Sequence, residues 1–311
     1  MRMKFTQFRQ NKQEEKDMAI FNGSGVAIVT PFNENNQVHV EKLKELVNIQ
    51  IEKGTDAIII CGTTGESATL STKEHEICVR TAVEAANKRV PVIAGTGSNN
   101  TAHAVELSIQ AMECGADALL VVTPYYNKAT QKGLIAHFTQ IANSVTLPII
   151  MYNVPSRTGC NILPATAVEL ARTVPNIVAI KDAAGNISQT AQMLALADGC
   201  LDVYSGNDDQ IIPILALGGI GVISVLANII PTQIHEICHE YMNGDQKKAV
   251  KMQLDTIHLT EGLFCEVNPI PVKTALNLLG MEVGGLRLPM TSMEEGTKLK
   301  LKECMEQYGL L

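Results

Sequence analysis

The chain has 311 residues, 46% of them hydrophobic and 18% charged, with a formal net charge of −7. That is enough apolar material for a large core, and no apolar run approaches the roughly 18 to 20 residues of a membrane span, which excludes a spanning helix. The acidic balance, without any Lys/Arg cluster interleaved with aromatics, argues against a nucleic-acid partner and for a small-molecule one.

Residues 1–17 are polar, carry charges of both signs and lack the apolar segment of a secretory signal, so they read as a disordered extension, with Met18 a candidate natural start. From there the chain alternates. Short apolar runs of strand type begin near Gly25, Asp56, Val90, Ala116, Leu147, Asn176, Leu201 and Ile220. Helical periodicities lie between them, such as Val40, Leu43, Leu46, Val47 and Ile51, then Ile77, Val79, Ala82, Val83 and Ala86. Gly54 and Gly115 each fall between a helix and an Asp-Ala step into a strand, and suit the left-handed residue that stops helices.

Eight unbroken β-runs with crossover helices predict an α/β fold of the (β/α)8 TIM-barrel type, because parallel strands buried on both faces show no polar alternation. The alternative, an open doubly wound sheet, needs a Gly-rich phosphate turn after the first strand, where TPFNENN (30–36) stands instead. After about Gly244 only helical patterns remain, near 245–264, 270–280 and 293–308. The expected organisation is an extension (1–17), a barrel catalytic domain (18–244) and a C-terminal helical domain (245–311).

Barrel enzymes carry their chemistry at the C-terminal ends of the strands. Strand two ends in CGTTGES (61–67), whose glycines and hydroxyls Thr63 and Thr64 can meet a carboxylate or oxyanion, or simply cap the next helix. Strand four ends in TPYYNK (123–128) and strand five in YNVPSRTG (152–159), placing Tyr125, Tyr126 and Tyr152 at the rim as packing groups or proton relays. Arg157 beyond them is either a carboxylate clamp or a surface ion pair.

Lys181 is the anomaly. It ends the apolar run NIVAIKD (176–182), and no other lysine terminates a predicted core strand. Burying an ammonium costs several kcal/mol unless it is paired or deprotonated. A partly desolvated amine loses its proton more readily and can attack a carbonyl carbon to form an imine, which then acts as an electron sink. The structural alternatives are a snorkelling lysine or one paired with Asp182 or Glu66. With two hydroxyls, tyrosines from two strand ends and an arginine assigned to the same rim, the chemical reading is preferred.

Other features carry less. GTGSNN (95–100) lacks the third glycine of a nucleotide turn. His235 and His239, four apart in HEICH, lack the HExxH pattern and read as helix-surface histidines, so no metal is expected. The eight cysteines, Cys61, Cys78, Cys114, Cys160, Cys200, Cys238, Cys265 and Cys304, form no CxxC pair and read as reduced, mostly buried thiols of a cytoplasmic protein.

Taken together, GTTGES, TPYYN, YNVPSRTG, the strand lysine in IKDAAGN, YSGNDD and GVISV resemble the dihydrodipicolinate synthase family, within the pyruvate-dependent class I aldolases, from about Phe21 to Leu311. The resemblance implies a lyase that needs no cofactor or metal and condenses pyruvate with L-aspartate 4-semialdehyde in lysine and diaminopimelate synthesis. It implies Lys181 as the imine former and Tyr152, Thr63 and Tyr126 as a proton relay, with Tyr126 reaching a neighbouring subunit's site. Thr64 would hold the pyruvate carboxylate, Arg157 the aldehyde's carboxylate, and Gly206 and Ile223 would present backbone groups. A relay shared between subunits implies a homotetramer built as a dimer of dimers. Asp182 stands where the family often has Glu, an exchange expected to be tolerated. Ser67, Ala68, His75, Asn99 and Tyr125 match the family's lysine-sensing pattern, whereas Thr72 and His103 depart from it, so weak or absent lysine inhibition is expected.

Overall fold

The computed structural model describes residues 19–311; the expectation for residues 1–17 lies outside them. Eight strands form a closed parallel barrel in sequential order: β1 (Gly23–Ala27), β2 (Ala57–Ile60), β3 (Val92–Gly95), β4 (Ala118–Val122), β5 (Ile149–Asn153), β6 (Ile177–Asp182), β7 (Asp202–Ser205) and β8 (Gly221–Ser224). Each is followed by its helix: α1 (Val40–Glu52), α2 (Thr72–Ala86), α3 (Thr101–Glu113), α4 (Gln131–Ala142), α5 (Pro164–Thr173), α6 (Ile187–Ala197), α7 (Ile211–Ala216) and α8 (Pro231–Met242). The TIM-barrel expectation holds, and the doubly wound alternative falls with the closure of β8 onto β1.

Side-chain direction alternates along each strand and builds two cores. Ala57, Ile59, Ile93, Leu120, Ile150, Ala179 and Ile223 fill the barrel interior, while Val26, Ile58, Ile60, Val121, Ile180 and Val203 pack outward against the helices. Buried on both faces, these strands need continuous apolar sequence. Each of the Val, Leu and Ile side chains contributes roughly 1.5–3 kcal/mol. The closing seam pairs Gly23 with Gly221, where a Cβ on Gly221 would lie 2.2 Å from the Gly23 carbonyl. That seam explains why β1 starts at Gly23, ahead of the first apolar residue. Gly54 and Gly115 have φ of +93° and +87°, the left-handed stops anticipated from their position.

The helices start where capping chemistry allows. Ser71 and Glu74 form a capping box on α2, so neither Thr63 nor Thr64 serves as its cap. Helix α1 buries Leu43, Leu46 and Val47, the stripe its periodicity defined. Gly97 in GTGSNN is a packing glycine: a Cβ there would lie 2.3 Å from the Val122 nitrogen.

The C-terminal part is helical: α9 (Gln246–Asp255), α10 (Ile257–Leu263), α11 (Ile270–Leu278) and α12 (Glu295–Tyr308). Helix α9 packs on α8 and α7, and α11 reaches the β8–α8 connection at the top of the barrel. His235 and His239 require a correction. They are not free helix-surface residues, because both turn from α8 onto Asp56, which precedes β2, at 3.0 and 3.2 Å.

Candidate active site

Alternation decides what reaches the barrel mouth. On β6, Ile180 points outward to the helices, and Ala179 and Lys181 point inward. Register then sets Lys181 level with Tyr152 on β5 and Tyr204 on β7. Lys181 is 5% exposed, and its Nζ lies 4.4 Å from the centroid of the Tyr152 ring. Among the described residues it has neither a hydrogen bond nor a salt bridge.

Both of the structural partners considered for Lys181 are engaged elsewhere. Asp182 turns away and accepts from Thr190 Oγ1 at 2.7 Å and from Asn153 Nδ2 at 3.3 Å. Glu66 is bound by Lys273 Nζ at 2.8 Å. The structural alternative of a Lys181–Glu66 pair is thereby excluded, since that carboxylate is held by a different lysine. The amine is left facing an aromatic ring, which favours a cation only weakly, by about 0.5–2 kcal/mol.

The two tyrosines beside the lysine differ. Tyr204 donates its hydroxyl to the Phe21 carbonyl at 2.8 Å and stacks on the Phe21 ring, and burial pushes its phenol up. Tyr152 has no such tie among the described residues and lines the open cleft. Beyond the end of β7, Asp208 is 2% exposed and accepts from the Ser224 hydroxyl and, at 3.0 Å each, from the Val225 and Leu226 nitrogens. Burial pushes its carboxyl up, while those donors and the positive charge of Lys181 pull it back.

The cleft has a volume of about 620 Å³ and brings together Thr63, Thr64, Tyr152, Arg157, Lys181 and Gly206. Thr64 is buried, and its Oγ1 accepts from Asn268 Nδ2 at 3.0 Å. Arg157 sits on a single helical turn, Pro155–Thr158; its guanidinium makes no ion pair among the described residues and donates Nη2 to the Asn268 carbonyl at 3.1 Å. The guanidinium therefore keeps free donors toward the cleft. Gly206 spends its N–H on the Asp182 carbonyl at 2.8 Å.

Other predicted residues lie apart. Ile223 is fully buried in the barrel interior, paired with Gly25 across the seam, and does not line the cleft. Tyr126 is 89% exposed with φ of +73°, away from the cleft of its own chain. Ser67 and Ala68 form a 3-10 turn after β2. His75, on α2, holds the Gly95 carbonyl at 2.8 Å, and the Asn99 carbonyl accepts from Asn127 Nδ2 at 2.9 Å. With Tyr125 they occupy the β2, β3 and β4 connections, outside the cleft.

The sequence reading missed the C-terminal wall. Residues 264–268 close one side of the cleft, and Asn268 links Thr64 to Arg157. Behind it, Lys273 and Arg287 clamp Glu66, whose φ is +53°. Left-handed backbone in a non-glycine residue costs roughly 1–2 kcal/mol, and the clamp offsets that cost at the end of the GTTG turn. The segment NPIPVKTAL (268–276) was the only signal for this wall, and a polar residue on a helix gave no hint of burial.

A closed eight-stranded barrel with a desolvated, unpaired lysine in its mouth defines the class of barrels equipped for imine chemistry. The family model described as "Dihydrodipicolinate synthetase family" matches residues 20–308. A 4-hydroxy-tetrahydrodipicolinate synthase of Lachnoclostridium phytofermentans is 59% identical over 294 residues, covering 94% of this chain and 100% of that one. Among solved structures, dihydrodipicolinate synthase of Thermotoga maritima superposes with a TM-score of 0.92 at 43% identity, over 94% of this chain and 100% of that one. The chloride-inhibited enzyme of Acinetobacter baumannii complexed with pyruvate gives 0.91 at 44% identity, over 93% and 99%. The chain belongs to the dihydrodipicolinate synthetase family.

Proposed function

We propose that this protein condenses pyruvate with L-aspartate 4-semialdehyde to give 4-hydroxy-tetrahydrodipicolinate, on the route to lysine and diaminopimelate. The carrying observation is Lys181: a buried amine, without a carboxylate partner among the described residues, in register with Tyr152 inside the barrel mouth.

Lys181 Nζ attacks the keto carbon of pyruvate, and loss of water leaves the imine. A methyl proton then departs, with its electron pair drawn into the imine to give an enamine. The enamine carbon attacks the aldehyde of the second substrate. The substrate's amine next displaces Lys181 from the imine carbon, closing the ring and freeing the lysine. One water is released overall, and the imine itself is the electron sink, so the cycle calls on no resident metal or cofactor.

The side chains divide the remaining work. Thr64 and its turn receive the pyruvate carboxylate, and Arg157, with free guanidinium donors, receives the carboxylate of the aldehyde. Tyr152 and Thr63 move protons at the site. Tyr126, solvent-facing on its own chain, suits a relay completed by a second copy, in keeping with a homotetramer arranged as a dimer of dimers. Gly206 and Ile223 contribute backbone groups at or beneath the cleft. Eight free cysteines, and the lack of any helix long and apolar enough to cross a membrane among the described residues, suit a cytoplasmic enzyme. Arg157 also weighs against a sugar-acid aldolase, whose polyhydroxylated substrates have less use for a guanidinium clamp.

Borohydride reduction in the presence of pyruvate, followed by peptide mapping, tests the reading. A pyruvate-derived adduct on Lys181, unaffected by EDTA, is expected. No adduct, or an adduct on Lys128 instead, would overturn it.

A further inference from the structure

We propose that Asp56, His235 and His239 form a binding site for a borderline divalent transition cation, of which Zn²⁺ is the best match, at the N-terminal face of the barrel. This face lies opposite the mouth that holds Lys181.

The site is built by three elements far apart in sequence. Asp56 enters β2, and its carboxylate is oriented by the main chain of β1: Ser24 N donates to Oδ2 at 2.8 Å. Helix α8 packs against β1 and presents His235 and His239 one turn apart. His235 Nδ1 lies 3.0 Å from Oδ2, and His239 Nε2 lies 3.2 Å from Oδ1. The three ligand atoms all fall within 4.8 Å of one another, and among the described residues no other group of three such side chains does so. A tetrahedral ion with bonds of about 2.0–2.1 Å spaces its ligand atoms about 3.3–3.4 Å apart, and each imidazole nitrogen already lies close to that spacing from one of the two carboxylate oxygens.

The geometry that makes two hydrogen bonds also assembles a ligand set for an ion. The imidazole rings lie 4.0 Å apart at 31°, and each brings one ring nitrogen to the same carboxylate. With the proton of each imidazole moved to its other nitrogen, the two facing nitrogens offer lone pairs beside a carboxylate, a set that a divalent cation satisfies. Two glycines make the approach possible. A Cβ on Gly23 would lie 2.3 Å from Asp56 Oδ2 and 3.1 Å from His239 Nε2, and one on Gly54 would lie 3.3 Å from the His235 ring.

A second, independent observation comes from Ser24. It is fully buried, and its hydroxyl has no hydrogen-bond partner among the described residues. It sits beside the Asp56 carboxylate through its own N–H, where an ion-bound water would supply the missing partner. The side chains of His235 and His239 are 27% and 40% exposed, which leaves a path for the ion and a fourth, solvent position. Two nitrogens and one carboxylate oxygen select Zn²⁺, Ni²⁺, Co²⁺ or Cu²⁺ over Mg²⁺ or Ca²⁺. Remote from the mouth, the ion would act as a staple between α8 and the start of β2.

The test uses the full chain, free of any polyhistidine tag, with the exposed Cys265 replaced by serine so that its thiol does not compete. Equilibrium dialysis against ZnCl₂ at neutral pH should give one saturable ion per chain, and Co²⁺ should develop the visible bands of a tetrahedral site. H235Q and H239Q should each weaken binding at least about tenfold. The double variant should lose both the site and the zinc-dependent rise in melting temperature. These partly exposed positions make the variants suitable probes, and anomalous scattering at the zinc edge on the wild-type chain reads the position directly. Absence of saturable uptake, uptake unchanged in the double variant, or an anomalous peak elsewhere would each overturn the proposal.

Discussion

Removing the ammonium of Lys273 while leaving Glu66 in place should be among the most damaging single changes outside Lys181. Both side chains are essentially excluded from solvent, at 2% and 0% exposure, and are separated by 2.8 Å. At an effective dielectric near 20 their attraction is about 6 kcal/mol, comparable to the several kcal/mol that desolvating each ion costs. Burial accordingly pushes the Lys273 amine down, while Glu66 pulls it back up. The intact pair is therefore close to neutral in stability, but half of it is not. In Lys273→Met, Glu66 keeps only the Arg287 N–H, at 3.0 Å, and the Thr30 carbonyl loses its donor. The expected loss is about 3–5 kcal/mol, a drop in melting temperature on the order of 10 °C. The double variant E66Q/K273M should recover most of it, because no charge is then stranded. Because Glu66 anchors the GTTG turn, the single variant should also raise KM for pyruvate. Urea unfolding of the two variants beside wild type decides the matter. A single variant within about 1 kcal/mol of wild type, or a double variant no better than the single, would refute the argument.

Arg157→Ala should raise KM for the aldehyde by roughly 10- to 100-fold, as expected for a lost charged hydrogen-bonding pair worth about 1.5–3 kcal/mol. KM for pyruvate and the borohydride adduct should stay as in wild type; a parallel loss for both substrates would show a structural role instead. His137 is held neutral by burial, its pKa lowered from the ordinary 6.5 to about 4, and burial lowers His75 as well. Unfolded histidines take up protons first, so stability should be fully present above pH 6.5 and fall as pH drops toward 4. H137N should flatten that slope in acid-unfolding titrations, and an unchanged slope would count against the assignment. For feedback, Thr72 and His103 depart from the lysine-sensing pattern, and His103 is engaged with Glu106 at 3.1 Å, so L-lysine should inhibit weakly or not at all. Half-inhibition in an initial-rate assay at sub-millimolar lysine would show otherwise.

How much of this was legible in the sequence depends on the range over which each feature is encoded. Lys181 was visible because a cation at the end of a β-branched run contradicts its own local environment. Its neighbour Tyr152 followed once the strands were aligned. The mirror-image case, Lys273, was invisible: on a helix reading IPVKTAL a lysine is ordinary, and its partner Glu66 is 207 residues away. His235 and His239 showed their helical spacing, but their meaning rests on Asp56, 179 and 183 residues away. The start of β1 was misplaced for a related reason. Gly23 and Ser24 carry no strand signal of their own and become strand only through pairing with Gly221 and Val222 across the seam.

The C-terminal helices consequently do more than cover the barrel. The connection before α11 carries Asn268, whose amide holds Thr64 and whose carbonyl holds Arg157, while Lys273 on α11 holds the residue that ends the GTTG turn. Thr64 and Arg157, the two groups proposed to receive carboxylates, are thus positioned by one short segment rather than by the barrel strands. A barrel lacking that segment would keep Lys181 and Tyr152 in register, because β5 and β6 pair without it. It would lose the relative placement of Thr64 and Arg157. Imine formation and acceptor recognition are in this way supported by different parts of the chain, so damage near Asn268 should lower substrate affinity before it abolishes trapping at Lys181.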